Sequence, residues 1–266
     1  MAGPTRRALI TGASSGIGLA LADVFAARGF DLVVTARRVD RLEALAARLT
    51  AQYGRQVDVV QADLADPAAP EAICAELERR GLVIDALVNN AGYGVPGAYA
   101  KTSWESQRAL LQVTDLAMTE LTHRLLPGML ARGWGRILNV ASLVGFLPAP
   151  AGHTLYPASK ALVILFSQAL AEEVRSQGVH VTVLCPGFTL TEFHDVTGTR
   201  QTVSKLPGFM WSKADDVARM GFDAVMAGTV ICVPGTLNRV MRHVARFFPS
   251  VFAAFQRRFS WSFRKV

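Results

Sequence analysis

Cysteine is scarce in this chain: Cys74, Cys185 and Cys232 are all there is in 266 residues. Three widely spaced thiols make neither a disulfide framework nor a metal-binding spacing, and read as buried thiols in a reducing compartment. Long apolar runs are also missing. The run Ala161–Phe166 is far too short to cross a bilayer, and residues 1–7 are too short and polar for a secretory signal. A cytoplasmic protein is expected. Acidic residues are absent from one long stretch, Thr236–Val266, which holds seven Lys or Arg. The first 235 residues balance 21 basic against 21 acidic side chains, so the net charge of +7 belongs to the tail. No basic stripe runs through the body, which argues against nucleic acid as a partner.

What is present is a core-forming composition and a regular rhythm. Hydrophobic residues make up 51% of the chain, which excludes disorder as its general state. Apolar strands are expected at Arg7–Thr11, Asp31–Ala36, Val57–Gln61, Asp85–Val88, Gly135–Val140, Val179–Cys185 and Val230–Val233. Helical segments alternate with them: 19–28, 39–50, 67–80, 104–132, 156–177 and 215–227, the fourth interrupted at Pro127-Gly128. Strand–helix alternation of this kind predicts an α/β fold with a parallel sheet covered by helices on both faces. One domain, 1–235, is expected, followed by the tail 236–266.

The first strand runs into Thr11-Gly12-Ala13-Ser14-Ser15-Gly16-Ile17-Gly18, and a helix follows. Strand, glycine turn and helix in that order form a dinucleotide-binding context. Gly12 permits a tight turn, Gly16 lets backbone approach a pyrophosphate at the helix N-terminus, and Gly18 permits close helix packing. At the end of the second strand, Ala36 occupies the position where an acidic residue would bind the ribose 2′-hydroxyl, and Arg37-Arg38 follow. Arginine there suits a 2′-phosphate, so NADP(H) is expected over NAD(H). Asp63-Leu64, after the third strand, could flank an adenine.

Tyr156-Pro157-Ala158-Ser159-Lys160 places a phenol and an ammonium four residues apart, on one helical face. A nearby cation favours the phenolate, so the tyrosine is expected to titrate nearer neutrality and serve as an acid or base. Ser142 ends the fifth strand, at the sheet edge where ligands bind in such folds.

In order, Thr11-Gly12-x-x-x-Gly16-Ile17-Gly18, Asn89-Asn90-Ala91-Gly92, Ser142 and Tyr156-x-x-x-Lys160 resemble the short-chain dehydrogenase/reductase family over residues 5–235. The resemblance implies a doubly wound, seven-stranded Rossmann-like sheet and an oxidoreductase of carbonyls and alcohols. It implies Tyr156 as catalytic acid/base, Lys160 as its partner and a ribose ligand, and Ser142 on the substrate oxygen. Asn90, Ala91 and Gly92 would meet the adenosine side. Pro186, Gly187, Thr189 and Thr191 would receive the nicotinamide. A homodimer or homotetramer through the helices at 104–132 and 156–177 is implied as well.

Two departures stand out. Thr114 occupies the position where the family has an asparagine that helps hold a proton-relay water. A threonine hydroxyl can instead bond a carbonyl one turn back, and neighbouring Asp115 is expected to point elsewhere on the helix. Thr114 is also the one feature that fits the alternative of a cofactor-binding regulatory or scaffold protein without turnover. Secondly, Ser142 and Tyr156 lie one residue further apart than the family pattern, so the loop 143–155, with Pro148, Pro150, Gly152 and a surface-exposed His153, is expected to bulge.

The segments expected to face substrate offer Tyr93, Val95, Phe146, Leu147, Phe193, Phe209, Met210 and Trp211, with only scattered Lys101, Arg200 and Lys205. A small apolar carbonyl or alcohol is expected: lipid-like, steroid-like or aromatic. In the tail, Val240, Val244, Phe247, Val251 and Phe255 recur at helical spacing, with Arg239, Arg242 and Arg246 on another face and a kink near Pro249. Such a helix suits either the surface of an anionic membrane or docking on its own subunit or a dimer partner.

Overall fold

In a computed structural model the described residues are 5–149, 151–204, 206–250 and 253. Pro150, Lys205, Val251 and Phe255 from the expectations above lie outside them. Seven parallel strands form one sheet: β1 (Arg7–Thr11), β2 (Asp31–Ala36), β3 (Val57–Gln61), β4 (Ala86–Asn89), β5 (Gly135–Val140), β6 (Val179–Leu184) and β7 (Ile231–Cys232). Their spatial order is β3-β2-β1-β4-β5-β6-β7. The order reverses between β1 and β4, and the carboxyl edge of that crevice is where such sheets take ligands.

Strands buried on both faces need apolar residues throughout, and β1 supplies them. Ala8 and Ile10 face one layer, Leu9 the other, all at 0% exposure. One layer holds α1 (Gly16–Ala27) and α2 (Val39–Tyr53), with a later helix, α7 (Ala214–Ala227). Phe25, Phe30 and Phe222 meet there edge to face, at centroid separations of 4.8–6.1 Å, an arrangement favoured by ring quadrupoles. The opposite layer holds α3 (Ala69–Arg79), α5 (Ala117–Ala131) and α6 (Leu155–Val174), through Ile73, Leu77, Leu121, Leu170 and Val174.

The long helix expected at 104–132 differs in two ways. Pro127 does not interrupt it: α5 continues to Ala131, and both Pro127 and His123 are exposed, so water can reach the carbonyl the proline leaves without a donor. The break comes earlier. After α4 (Trp104–Leu111) the chain makes a π-helical turn, Gln112–Leu116, before α5 begins. Such turns insert an extra residue and rotate the side chains around it.

Beyond β6 lie a two-stranded pairing of Thr189–Leu190 with Ser212–Lys213 and short helical turns at Phe193–Val196 and Arg200–Val203. The chain then forms α7, β7 and α8 (Thr236–Phe247). No helix among the described residues is long and apolar enough to cross a membrane.

Candidate active site

The glycine turn is held in place by Asn90. Its amide donates to the Thr11 carbonyl at 2.9 Å and the Gly12 carbonyl at 3.2 Å. The Thr11 hydroxyl accepts from the backbone N–H of Asn90 and of Ala91, each at 3.0 Å. Gly12 sits at φ 66° with Asn90 and Ala91 pressed against it. A Cβ on Gly18 would fall 2.4 Å from the Gly12 carbonyl oxygen and 2.3 Å from the Asn90 amide, so Gly18 serves the turn itself. Gly16 lies beside the Thr191 side chain, which brings the 186–191 segment over the same turn.

Arg37 and Arg38 part company. Arg37 is exposed. Arg38 turns inward, donating to the Ser14 hydroxyl at 3.1 Å, the Ser15 hydroxyl at 2.9 Å and Glu192 at 3.2 Å. Arg41 joins through Glu192 at 2.8 Å. Sequence order alone favoured Arg37 as first past the strand; the arginine the fold brings to the glycine turn is Arg38. A dinucleotide fits this turn: Gly12 and Gly16 take the left-handed backbone it needs, at φ 66° and 58°, and Arg38 with two hydroxyls is a donor set for a phosphate. Asp63 receives the Ala65 N–H at 3.0 Å and stays exposed, whereas Leu64 is buried.

Ser142, Tyr156 and Lys160 converge at the carboxyl edge of β5. The Ser142 hydroxyl accepts from the Val144 N–H at 3.3 Å, capping the 3₁₀ turn Leu143–Phe146. That turn takes up the start of the loop expected to bulge. Gly145 lies against the α6 backbone, where a Cβ would meet the Lys160 carbonyl carbon at 2.8 Å. Pro186 and Thr189 are buried and Gly187 half-buried beside this turn; the Pro186 carbonyl accepts from the Leu143 N–H at 2.9 Å. His153, expected at the surface, is half-buried, and burial holds its imidazole below the usual range.

The phenol does not behave as the Tyr-x-x-x-Lys spacing predicts. Burial pushes Tyr156 up to about 12, and the hydrogen bond with Ser142 only partly opposes this. Lys160 Nζ lies 5.7 Å from the centre of the Tyr156 ring and donates to the Val140 carbonyl at 3.0 Å. Burial lowers Lys160 to about 8, against the pull of Asp115. At neutral pH the pair is therefore a protonated phenol beside an ammonium.

Thr114 donates to the Leu110 carbonyl at 2.6 Å, one turn back, as a threonine in its place is expected to do. Asp115 departs from expectation. The π turn buries it beside Thr114 at 4% exposure, 2.9 Å from the Ser159 hydroxyl and 3.0 Å from the Thr114 hydroxyl. The reading of the sequence also missed a buried chain across the sheet. The Asn89 amide donates to Thr122 and to Asn139, and Asn139 donates to Ser167, at 2.9–3.1 Å. Asparagines inside apolar strands were its available signal.

The sequence profile described as short chain dehydrogenase matches residues 6–202. The chain belongs to the short-chain dehydrogenase/reductase family. Sulfoacetaldehyde reductase of Chromohalobacter salexigens is 37% identical over 80% of this chain and 85% of its own. A short-chain dehydrogenase from Sphingobium yanoikuyae, solved with NADPH, superposes with a TM-score of 0.81 at 34% identity, covering 96% of this chain and 95% of that one. A bulky-bulky ketone specific alcohol dehydrogenase from Comamonas testosteroni gives 0.76 at 31% identity, covering 96% and 94%. As a short-chain dehydrogenase/reductase, the protein is an NAD(P)-dependent oxidoreductase acting on CH–OH and C=O groups.

Proposed function

We propose that the protein is an NADP(H)-dependent oxidoreductase of apolar carbonyl compounds or secondary alcohols, with residues 1–235 as the catalytic unit. The observation that carries the cofactor preference is Arg38, in contact with Ser14 and Ser15 and without an acidic residue at position 36. Gly12, Ser14, Ser15, Gly16, Ile17, Gly18, Arg38, Asn90, Ala91 and Gly92 would hold the dinucleotide, with Thr189 and Thr191 at its other end. Bound there, the nicotinamide supplies or accepts the hydride. Tyr156 Oη gives a proton to the substrate oxygen in reduction and takes it back in oxidation. The Ser142 hydroxyl donates to the same oxygen and orients it. Lys160 holds positive charge beside the phenol, and its loss would leave a developing phenolate unsupported. A phenol protonated at neutral pH is the form that reduction uses.

Apolar substrate preference follows from what lines the approach to Tyr156. Phe193 lies 5.7 Å from its ring, Gly94 packs against the same ring, and Val95, Phe146 and Leu147 of the segments expected to face substrate are half-buried. Arg200 is engaged by Asp195 at 2.6 Å and by the Thr191 carbonyl, which leaves it poorly placed for a substrate anion. Phe209 is 78% exposed, and Trp211 packs on Phe188 at 5.6 Å. The test is a competition of NADPH and NADH for the purified protein, then turnover on a panel of ketones and aldehydes with Tyr156→Phe as control. Tighter NADPH binding and Tyr156-dependent reduction are expected. Equal affinity for both cofactors sinks the preference; turnover indifferent to Tyr156→Phe sinks the mechanism.

We read the tail as a peripheral membrane contact. α8 packs on the body through Asn238, Ala245 and Arg242, the last placed 4.7 Å over the Phe146 ring. Leu237, Val240, Val244 and Phe247 face outward at 39–67% exposure, with Arg239 and Arg246 also exposed. Apolar residues bordered by arginines suit an anionic bilayer surface. Co-sedimentation with phosphatidylserine vesicles, lost in a Val240→Ser, Phe247→Ser variant, is the expected result; no sedimentation of the full chain rejects it. Leu116, Leu162 and Leu165, 45–68% exposed on the α5 and α6 side, support a homodimer there, checked by analytical ultracentrifugation.

A further inference from the structure

Within the Tyr156–Lys160 site as just read, we propose that Asp115 is a positioning residue. Its carboxylate, which accepts from the Ser159 hydroxyl beside Thr114, is the counter-charge that keeps Lys160 an ammonium beside Tyr156.

The placement begins with the π turn. In a regular α-helix successive side chains diverge, and Asp115 would leave the face that carries Thr114. The inserted residue at Gln112–Leu116 keeps both inside, at 3% and 4% exposure. Ser159, one residue before Lys160, reaches across from α6 to Asp115 Oδ1 at 2.9 Å. Each hydroxyl carries one proton. Ser159 has Asp115 Oδ1 and the Thr114 oxygen within reach, each at 2.9 Å, and Thr114 has Leu110 O at 2.6 Å and Asp115 Oδ2 at 3.0 Å. Burial raises the Asp115 carboxyl above its ordinary range, and the hydroxyls and the Lys160 charge oppose that rise in favour of the carboxylate.

Lys160 closes the group. Lys160 is 5% exposed. A Cβ on Gly92 would sit 3.1 Å from Thr114 Cγ2 and 3.4 Å from Lys160 Nζ, so Gly92 marks where the two approach. Four surroundings act on this ammonium: the Val140 carbonyl from β5, Tyr156 from its own helix, Cys185 past the end of β6, and Asp115 from the π turn. Burial pushes the Cys185 thiol far up, so it stays neutral. That leaves Asp115 as the anion among these groups. A buried ammonium without a counter-charge is costly and tends to lose its proton. An amide at position 114 could orient the lysine through a water but could not supply charge. Here the charge comes from the next residue, and the π turn makes it available.

The test reads the lysine directly in the free protein, independently of turnover, so its failure is distinct from failure of the assigned reaction. With ¹³C-labelled lysine, the Lys160 midpoint is followed by NMR. Asp115→Asn keeps the shape and the hydrogen-bonding capacity; the midpoint should fall by about one pH unit or more. Adding Thr114→Asn to that variant should not restore it, because an amide brings no charge. The NADPH dissociation constant of Asp115→Asn should match wild type at low pH and weaken as pH passes the new midpoint. An unchanged Lys160 midpoint in Asp115→Asn overturns the proposal, as does full restoration by Thr114→Asn. Should Asp115→Asn fail to fold, the wild-type carboxyl carbon of Asp115 decides: ionised at pH 7 is expected, and a protonated Asp115 overturns the proposal.

Discussion

Arg38, Arg41 and Glu192 pair where their side chains are 39–45% exposed, whereas Lys160 and Asp115 share a network at 5% and 4% exposure. Both groups lie at the carboxyl edge of one sheet; the first holds ion pairs in direct contact, and in the second Asp115 acts on Lys160 as the proposed counter-charge. Their physics differs because of water. The exposed pairs are screened by salt, hold each other weakly and can be exchanged for another anion. The buried pair is barely screened. It can be neither left half-made nor titrated cheaply, and the same burial moves Lys160 and Tyr156 apart, down to about 8 and up to about 12. The open cluster is suited to recognising a phosphate, the closed one to handling a proton.

The largest break in this contrast is expected from Tyr156→Phe, which removes the proton donor while leaving the glycine turn intact. We expect kcat to fall by about 100-fold or more, with NADPH affinity within a small factor of wild type by fluorescence titration. Next is Lys160→Met. Turnover should collapse, and at pH 7 relief of the lysine's burial should oppose the cost of leaving Asp115 without its partner, so the stability of the variant relative to wild type should fall as pH rises from 7 to 10. The folded pKa of about 8 lies below the ordinary 10.5, so the unfolded chain holds this proton more readily. The penalty is therefore complete below pH 8 and fades between 8 and 10.5. Removing it should gain at most about 3 kcal/mol at pH 7, since Asp115 loses a partner. Urea melts at pH 7 and pH 10 check this, and a relative stability that rises with pH would contradict the assignment.

At the open cluster the effects are smaller and depend on salt. Arg38→Ala should weaken NADPH by about tenfold, the scale of one or two charge-assisted hydrogen bonds, and leave NADH nearly unchanged. Equal losses for both cofactors would mean that Arg38 supports the turn and not a phosphate. The smallest effect is expected from Glu192→Gln. Glu192 occupies Arg38 and Arg41, so relieving it should tighten NADPH two- to threefold, about 0.5 kcal/mol, at low ionic strength and not in high salt.

Much of this was legible in the sequence. β1, β2, β3 and β5 begin and end where apolar runs and turn residues place them; for β1, β2 and β5 this is because strands buried on both faces leave little freedom in composition. Ser142, Tyr156 and Lys160 were legible because one helix and one strand end bring them together. Asp115 was not. A periodicity of 3.6 residues turns it away from Thr114, and a π turn carries no hydrophobic signature of its own. Arg38 was named together with Arg37, and the choice between them was not legible: two adjacent arginines at a strand end are distinguished by rotamer and by Glu192, which lies more than 150 residues away. In the tail the amphipathic pattern was plain, but which side would dock depended on Asn238.

Asn238 has a practical consequence. It is buried, bonds the Pro234 carbonyl at 2.7 Å, and stands where any side chain on Gly187 would have to go. The last described helix is thus a backstop to the Pro186-Gly187 bend. Cutting the chain at residue 235 would free that bend along with the outward-facing apolar residues of α8, and a truncated protein would confuse weak vesicle binding with a damaged cofactor site. Point changes on the outward side of α8 separate the two, because they leave the backstop in place.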